Sequence, residues 1–373
     1  MSFSFGFSGD DIEEDPNDAP TTSTNEQNVA TGSSDAETLI EARTHELDKM
    51  LSTLPSKLSY SILKITSPAG HAASLPRREI FDIRLQLMAE DTLHPTTNTN
   101  SNPNLNSNPN ANADPLTGLS NTDLQPRIYE GGYKTWECSL DLISFLLDRG
   151  PRKDLDDLVR VHHVIELGCG TALPSALLFQ YVLRNGLGMN FTLTDYNEAV
   201  LRLVTVPNML LAWVSTLDAT AHPFSSEAPN PTAGGDEQEG ELEVTPQLVS
   251  AFKDTLRSAG IQITLVSGSW VPAERFVGLV PSAPELNTFI LASETIYSPS
   301  SLAAFTEAMA ALLKRVRTGK AVVAAKRVYF GVGGSVDEFR KECSRRGCVA
   351  YEVEFEGLES GGVRRCLVEV QMY

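Results

Sequence analysis

Two glycines around a cysteine, Gly168-Cys169-Gly170, follow the apolar run Val164-Ile165-Glu166-Leu167 and precede a second apolar stretch from about Leu173. A strand, a sharp turn and a helix in that order bring backbone amides to a crevice above a sheet, a site suited to a nucleotide-type group. Glycine suits the turn because it tolerates φ > 0 and lets a ligand approach the backbone closely. A dinucleotide fingerprint needs a third glycine one helical turn later. Leu173-Pro174 stand there instead, which makes an NAD oxidoreductase a distant reading. Glu166 precedes the first glycine by two, and the next apolar run, Phe191–Thr194, ends in Asp195-Tyr196-Asn197. An acid at the second strand tip can accept hydrogen bonds from both hydroxyls of a ribose.

These residues need a scaffold. From Arg127 onward apolar runs alternate with amphipathic ones, which predicts an α/β fold with a mostly parallel, doubly wound sheet. Seven strands are expected, at Val161–Leu167, Phe191–Thr194, Ile261–Ser267, Thr288–Ser293, Ala321–Tyr329, Ala350–Phe355 and Arg364–Met372. Helices are expected over Leu140–Leu147, from Leu173, at Asn197–Trp213 and at Pro246–Ala259. Two closing strands after the last helix suit an antiparallel hairpin. Ligands of such sheets sit beyond the carboxyl ends of the strands. Those ends carry Gly268-Ser269-Trp270, Ser293-Glu294-Thr295-Ile296-Tyr297 and Tyr329-Phe330-Gly331-Val332-Gly333-Gly334. Trp270 could stack on or flank an adenine, or equally cap the core. Glu166-x-Gly-x-Gly with a following Asp195 resembles the S-adenosylmethionine (SAM) site of a Rossmann-like methyltransferase. Upstream, Ile128–Glu137 forms a loop in which Trp136 and Tyr133 could face a sulfonium, worth about 0.5–2 kcal/mol when desolvated, or simply pack. Cys169 reads as a small filler of the turn, and His162 and His163 lack partner motifs.

The chain has 373 residues, 41% of them hydrophobic, and a net charge of −18. That acidity disfavours general binding to nucleic-acid phosphate and favours basic protein partners. Five scattered cysteines without a metal-type pair, no signal peptide and no long apolar run predict a soluble intracellular protein, with no metal site. Residues 1–55 are expected to be acidic and largely disordered, with a short helix near Ala36–Leu51. Phe3, Phe5 and Phe7 could dock on the domain or a partner, or do nothing. Residues 56–90 are expected to form an accessory hairpin packed on the main domain, with strands at 57–65 and 78–88. In the second, Phe81, Ile83, Leu85 and Leu87 alternate with polar residues. Residues 91–125 form an Asn/Pro-rich linker and 126–373 the SAM-dependent methyltransferase domain, with a polar insertion at about Ser215–Thr245.

The full set of motifs resembles the eukaryotic protein-histidine methyltransferases that modify a histidine of a large-subunit ribosomal protein, the L-three protein. The resemblance runs through the amino-terminal Met-Ser-Phe-Ser-Phe-Gly-Phe, Arg78–Asp82, Ile128–Glu137, Glu166–Pro174, Leu193–Asn197, Arg202–Thr205, Ser267–Trp270, Ser293–Tyr297 and Tyr329–Ser335. The glycine turn is generic to SAM enzymes, while Tyr-Glu-Gly-Gly…Trp-Glu and Ser-Glu-Thr-Ile-Tyr are far more specific. The Asn-Pro linker and the insertion after Trp213 lie outside it. It implies a seven-stranded Rossmann-like fold and SAM as methyl donor. The partner it implies is a ribosomal protein or its assembly intermediate, with no direct nucleic-acid or membrane binding. A monomer in cytoplasm and nucleus is expected. The cofactor-binding residues expected are Trp136, Glu166, Gly168, Gly170, Asp195, Asn197, Gly268, Trp270 and Ser293. On the acceptor side, Glu294 or Tyr297 is expected to orient the target ring, and Glu294 could take the released proton. A neutral imidazole, pKa ~6.5, is already a nucleophile near neutrality, so transfer needs mainly positioning and desolvation. Two other readings stay open: a protein-lysine methyltransferase, and a non-catalytic assembly factor that keeps SAM as a structural ligand.

Overall fold

The central strands read as near-continuous apolar runs because they are covered on both faces. A computed structural model describes residues 39–93, 132–149, 160–234, 238–358 and 363–373. All of them belong to one unit spanning Thr38–Tyr373. The expectations for the Phe-rich start and for most of the Asn/Pro-rich linker lie outside the described residues.

The core of the sheet consists of β4 (His163–Leu167), β5 (Asn190–Asp195), β7 (Gln262–Ser267), β8 (Thr288–Ser293) and β9 (Gly319–Lys326), all parallel. The closing hairpin, β10 (Cys348–Val353) and β11 (Arg365–Met372), is antiparallel and joins at β9. These are the seven predicted strands. An eighth, β1 (Arg43–His45), pairs antiparallel with β7, so the order is β1-β7-β5-β4-β8-β9-β11-β10. Side chains alternate between two cores, as a pleated strand requires. Val164, Phe191, Leu193, Leu265, Phe289 and Leu291 face one cluster. Ile165, Leu167, Val266, Ile290 and Ala292 face the other.

The first cluster is closed by α3 (Glu137–Arg149), α4 (Leu173–Arg184), α6 (Val206–Val214) and α7 (Pro246–Ala259). On the second face lie α8 (Ala273–Leu279), α9 (Pro299–Lys314) and α10 (Val336–Arg345). The bounds of α7 follow from its ends: Thr245 caps the amide of Leu248, and Gly260 leaves the helix at φ 68°. Helix α6 is reached through the three-residue α5 (Glu198–Val200) and a π-helical turn, Leu201–Thr205.

Three expectations are corrected. Residues 39–55 are not a disordered extension: they hold β1 and a short α1 (Leu47–Leu51), whose Met50 and Leu51 are buried. Within the predicted helix at 36–51, Arg43–His45 form a strand held by backbone pairing with β7, and only Leu47–Leu51 are helical among the described residues. The hairpin is made by β2 (Lys57–Thr66) and β3 (Ala72–Arg78), while most of the predicted second strand belongs to α2 (Ile80–Leu93). In α2, Ile83 and Leu87 are buried against Tyr133, Val200, Leu203 and Val204. Phe81 and Leu85 are exposed, so apolar residues on both faces imitate a period of two. Finally, the insertion returns a strand, β6 (Glu239–Glu243), to the other edge of β2. The hairpin is thereby built into a three-stranded sheet with residues from inside the methyltransferase region. No described helix is long and apolar enough to cross a membrane.

Candidate active site

The glycine turn leaves β4 with Gly168 at φ 67° and Gly170 at φ 49°, the left-handed region in which a side chain is strained. Contacts within the chain impose the same choice. A Cβ on Gly168 would lie 2.9 Å from Thr295 Cγ2 and 3.8 Å from the ring of Trp270. On Gly170 it would lie 3.3 Å from the backbone of Gly132. The turn therefore draws together the tips of β4, β7 and β8 and the loop before α3.

Most amides of the turn are used internally, contrary to the expectation that they face the crevice. Cys169 N donates to Thr194 O at 2.7 Å, and Gly170 N to Asp195 Oδ2 at 3.0 Å. Asp195 Oδ1 accepts from Asn197 N at 3.0 Å, so this carboxylate organises the loop. The amide at the start of α4 goes to Glu166, which accepts from Ser175 N at 3.0 Å and from the Ser175 hydroxyl. Glu166 is 1% exposed, and burial, aided by the charge of Asp195, raises its pKa to about 8. Through these contacts Glu166 ties the end of β4 to the start of α4.

The π-helical turn gives this loop its second support. Thr205 donates to Gly170 O at 2.7 Å, and Asn208 Nδ2 to Thr171 O at 2.8 Å. Arg78, at the end of β3, donates to Leu203 O at 3.0 Å and pairs with Asp82 at 2.6 Å. Thus the hairpin, through Arg78, braces the segment that holds the turn. Cys169 is buried with its thiol raised far above the ordinary range, a filler as expected. His163 is a core residue 2.7 Å from the Thr192 hydroxyl, and burial and Arg315 lower its pKa to about 4.

Beyond the second turn, Gly268 N donates to Asp195 O at 3.0 Å, and Ser269 N to Ile40 O at 2.8 Å. A Cβ on Gly268 would sit 2.6 Å from Glu41 O. The half-buried Trp270 stacks edge-on against Phe305, ring centroids 5.6 Å apart. It thus caps the core as expected, and the same ring borders Gly168.

The tip of β8 carries the acid. Glu294 has φ 56°, a strained value for a residue other than glycine, and such strain gathers at functional sites. Its Oε1 accepts from Cys138 N, in the first turn of α3, at 3.4 Å. Its Oε2 lies 3.2 Å from Lys326 Nζ, a charge contact without hydrogen-bond geometry. Lys326 Nζ also stands 5.5 Å from the ring centroid of Trp136, a cation–π distance. Tyr297 is half-buried, and its carbonyl accepts from Gly334 N at 3.0 Å, which clamps the glycine-rich loop after β9 onto this tip. A Cβ on Gly334 would come within 2.0 Å of Ile296 O.

The sequence-predicted residues therefore lie at the tips of β4, β5, β7 and β8 or just beyond them, with Trp136 before α3; Ser293, half-buried, ends β8. Lys326, Cys138, Thr205 and Thr295 were missed. Lys326 was hidden by reading β9 through to Tyr329: the strand ends at Lys326, so the tip lies three residues earlier. Four buried polar atoms at these tips have no hydrogen-bond partner, namely Thr194 Oγ1, Asn197 Nδ2, Glu294 Oε2 and Thr295 Oγ1. Orphaned polar atoms beside the glycine turns fit a nucleoside that brings its own donors and acceptors.

The chain is 35% identical over 364 residues to "Histidine protein methyltransferase 1" of Saccharomyces cerevisiae, covering 91% of this chain and 89% of that one. It is 33% identical over 345 residues to the protein of the same name from Schizosaccharomyces pombe, covering 92% and 85%. A Bos taurus homologue is 30% identical over 254 residues, covering 67% of this chain and 58% of its own. No family model matches. Among solved structures, a bacterial CtHen1 methyltransferase domain gives a TM-score of 0.34 at 14% identity, covering 58% of this chain and 92% of that one. The CurJ carbon methyltransferase gives 0.35 at 10% identity, covering 64% and 56%. These two likenesses are too slight to bear on activity. The yeast relatives match along nearly the whole of both chains, and the chain belongs to the histidine protein methyltransferase family.

Proposed function

We propose that the chain transfers a methyl group from SAM to an imidazole nitrogen of a histidine in a large-subunit ribosomal protein, free or in an assembly intermediate. The observation that carries this reading is the set of strand tips that hold Asp195, the unpartnered Asn197 Nδ2 and Thr295 Oγ1, the glycine turn and the strained Glu294. Asp195 and Asn197 would hold the ribose, Trp270 would flank the adenine, and Trp136 would cover the methionine end. When bound, SAM supplies an electrophilic methyl on a sulfonium. The imidazole lone pair forms the N–C bond as the S–C electron pair returns to sulfur, and the other ring nitrogen then releases its proton. Glu294 Oε1 accepts from Cys138 N and Oε2 faces the ammonium of Lys326, so the carboxylate suits an electrostatic and positioning role better than that of a free base. Tyr297, beside it and half-exposed, would orient the ring through its second nitrogen. The net charge of −18 suits a basic protein acceptor.

The test is incubation of the purified protein with methyl-labelled SAM and ribosomal protein from cells lacking the enzyme, followed by amino-acid analysis of the hydrolysate. Label in methylhistidine is expected. Label in methyllysine would transfer the site to the other acceptor class, and SAM binding without any label would leave a structural ligand only.

A further inference from the structure

Glu294 and Lys326 stand at neighbouring strand tips, and their charges cancel 3.2 Å apart. An acid at the acceptor end of such a site, standing alone, would attract a protonated amine and stabilise the charged form of any base entering it. Here the acid already has its cation. The Glu294 side chain is only 3% exposed, whereas that of Lys326 is 24% exposed, so an incoming acceptor meets the ammonium before the carboxylate.

The surrounding charges leave this pair undisturbed. Arg365 lies opposite Lys326 in the β9–β11 ladder, but Asp141 on α3 holds its guanidinium through contacts of 2.6 and 3.3 Å. Glu137, 3.9 Å from Arg365, is 64% exposed and screened by solvent. Burial pushes the Cys138 thiol and the Tyr329 hydroxyl well above their ordinary ranges, so both stay neutral. Tyr329 Oη accepts from Lys326 N at 3.3 Å, which fixes the backbone from which the lysine projects. Trp136 steadies the ammonium on its other side.

We infer that Lys326 is a specificity-determining residue that, by pre-pairing Glu294 at the strand tips, admits a neutral imidazole and rejects a protonated amine. The inference rests on the proposed histidine acceptor and names what separates it from a lysine acceptor. A lysine side chain, pKa ~10.4, is charged at pH 7.5, while histidine, pKa ~6.5, is mostly neutral.

The test uses the full chain saturated with S-adenosylhomocysteine, so that binding is read without turnover. Two peptides serve as probes, one spanning the methylated histidine and one with lysine at that position. Titrated at pH 7.5, the wild type should bind the histidine peptide at least about tenfold more tightly, the size expected of a partly screened contact between like charges. K326M should narrow that gap to about threefold or less, and K326R should restore it, with affinity for S-adenosylhomocysteine unchanged in both. An unaltered gap in a folded K326M overturns the inference, as does a wild type with no preference. Should K326M not fold, the wild type alone still decides. Its affinity for the histidine peptide should fall about tenfold per pH unit below the ring's pKa, and a constant affinity between pH 5 and 8 overturns the inference. A wild type that binds neither peptide and labels no histidine refutes the acceptor assignment itself, whereas histidine labelling with an unaltered gap refutes only the role of Lys326.

Discussion

Asn197 and Thr295 each bury a polar atom without a partner, which costs stability in the free protein. Asn197→Ala and Thr295→Val should therefore leave the melting temperature of the free protein unchanged or raised. Each should weaken S-adenosylhomocysteine binding about tenfold, the worth of one lost hydrogen bond. Calorimetry and thermal denaturation together check this, and a variant that loses stability but not affinity would contradict it. Glu166 makes the opposite kind of prediction. Its folded pKa, about 8, lies above the ordinary value of 4.5, so folding favours the protonated form. That contribution is complete below about pH 4.5 and is lost as pH rises through about 8. The melting temperature of E166Q minus that of the wild type should accordingly grow by several degrees from pH 5 to pH 9, and a flat difference would show that the carboxyl is charged throughout. Glycine, acid and aromatic positions were legible in the sequence because few residue types satisfy a tight turn or a strand tip. The direction of Glu166 was not, since a buried carboxyl tying a helix start and an exposed one touching a ligand occupy the same place in the motif.

At the scale of elements, legibility followed the number of faces an element buries. Strands β4, β5, β7 and β8 were found nearly to their ends because packing on both faces demands unbroken apolar runs. Helix α2 was misread because Phe81 and Leu85 lie on its open side while Ile83 and Leu87 lie on the buried one. Strands β1 and β6 left almost no trace: Arg-Thr-His and Glu-Gly-Glu-Leu-Glu are held by backbone pairing, which any residue but proline can supply. Yet the segment leading into β1 has a task at the site, because Ile40 O takes the amide of Ser269 and Ala42 packs where Gly268 has no Cβ. Removing residues 1–46 should weaken S-adenosylhomocysteine binding about tenfold or more while far-ultraviolet circular dichroism shows the parallel sheet retained. Unchanged affinity in that truncation would show that the Gly268–Trp270 loop holds its shape without the strand.

At the scale of the whole molecule, the described hairpin and the main domain belong to one unit. The hairpin receives β6 from the insertion, sends Arg78 to the π-helical turn, and is thus part of the machinery that shapes the site. Such long-range joins are invisible to local periodicity, because each rests on one polar residue or one backbone pairing. The placement of the two ends of the described chain has a practical consequence. Because β1 runs antiparallel to β7, residues 40–42 lie against the loop beyond the carboxyl tip of that strand. Because β11 runs antiparallel to β9, it starts opposite Lys326 and finishes beyond Lys320, and Tyr373, 82% exposed, follows at the far rim of the sheet. A dye or surface linker attached at Glu41 would crowd the entrance and report on what enters it. One attached at Tyr373 would hold the enzyme by its back, which makes that end the proper handle for immobilised binding measurements.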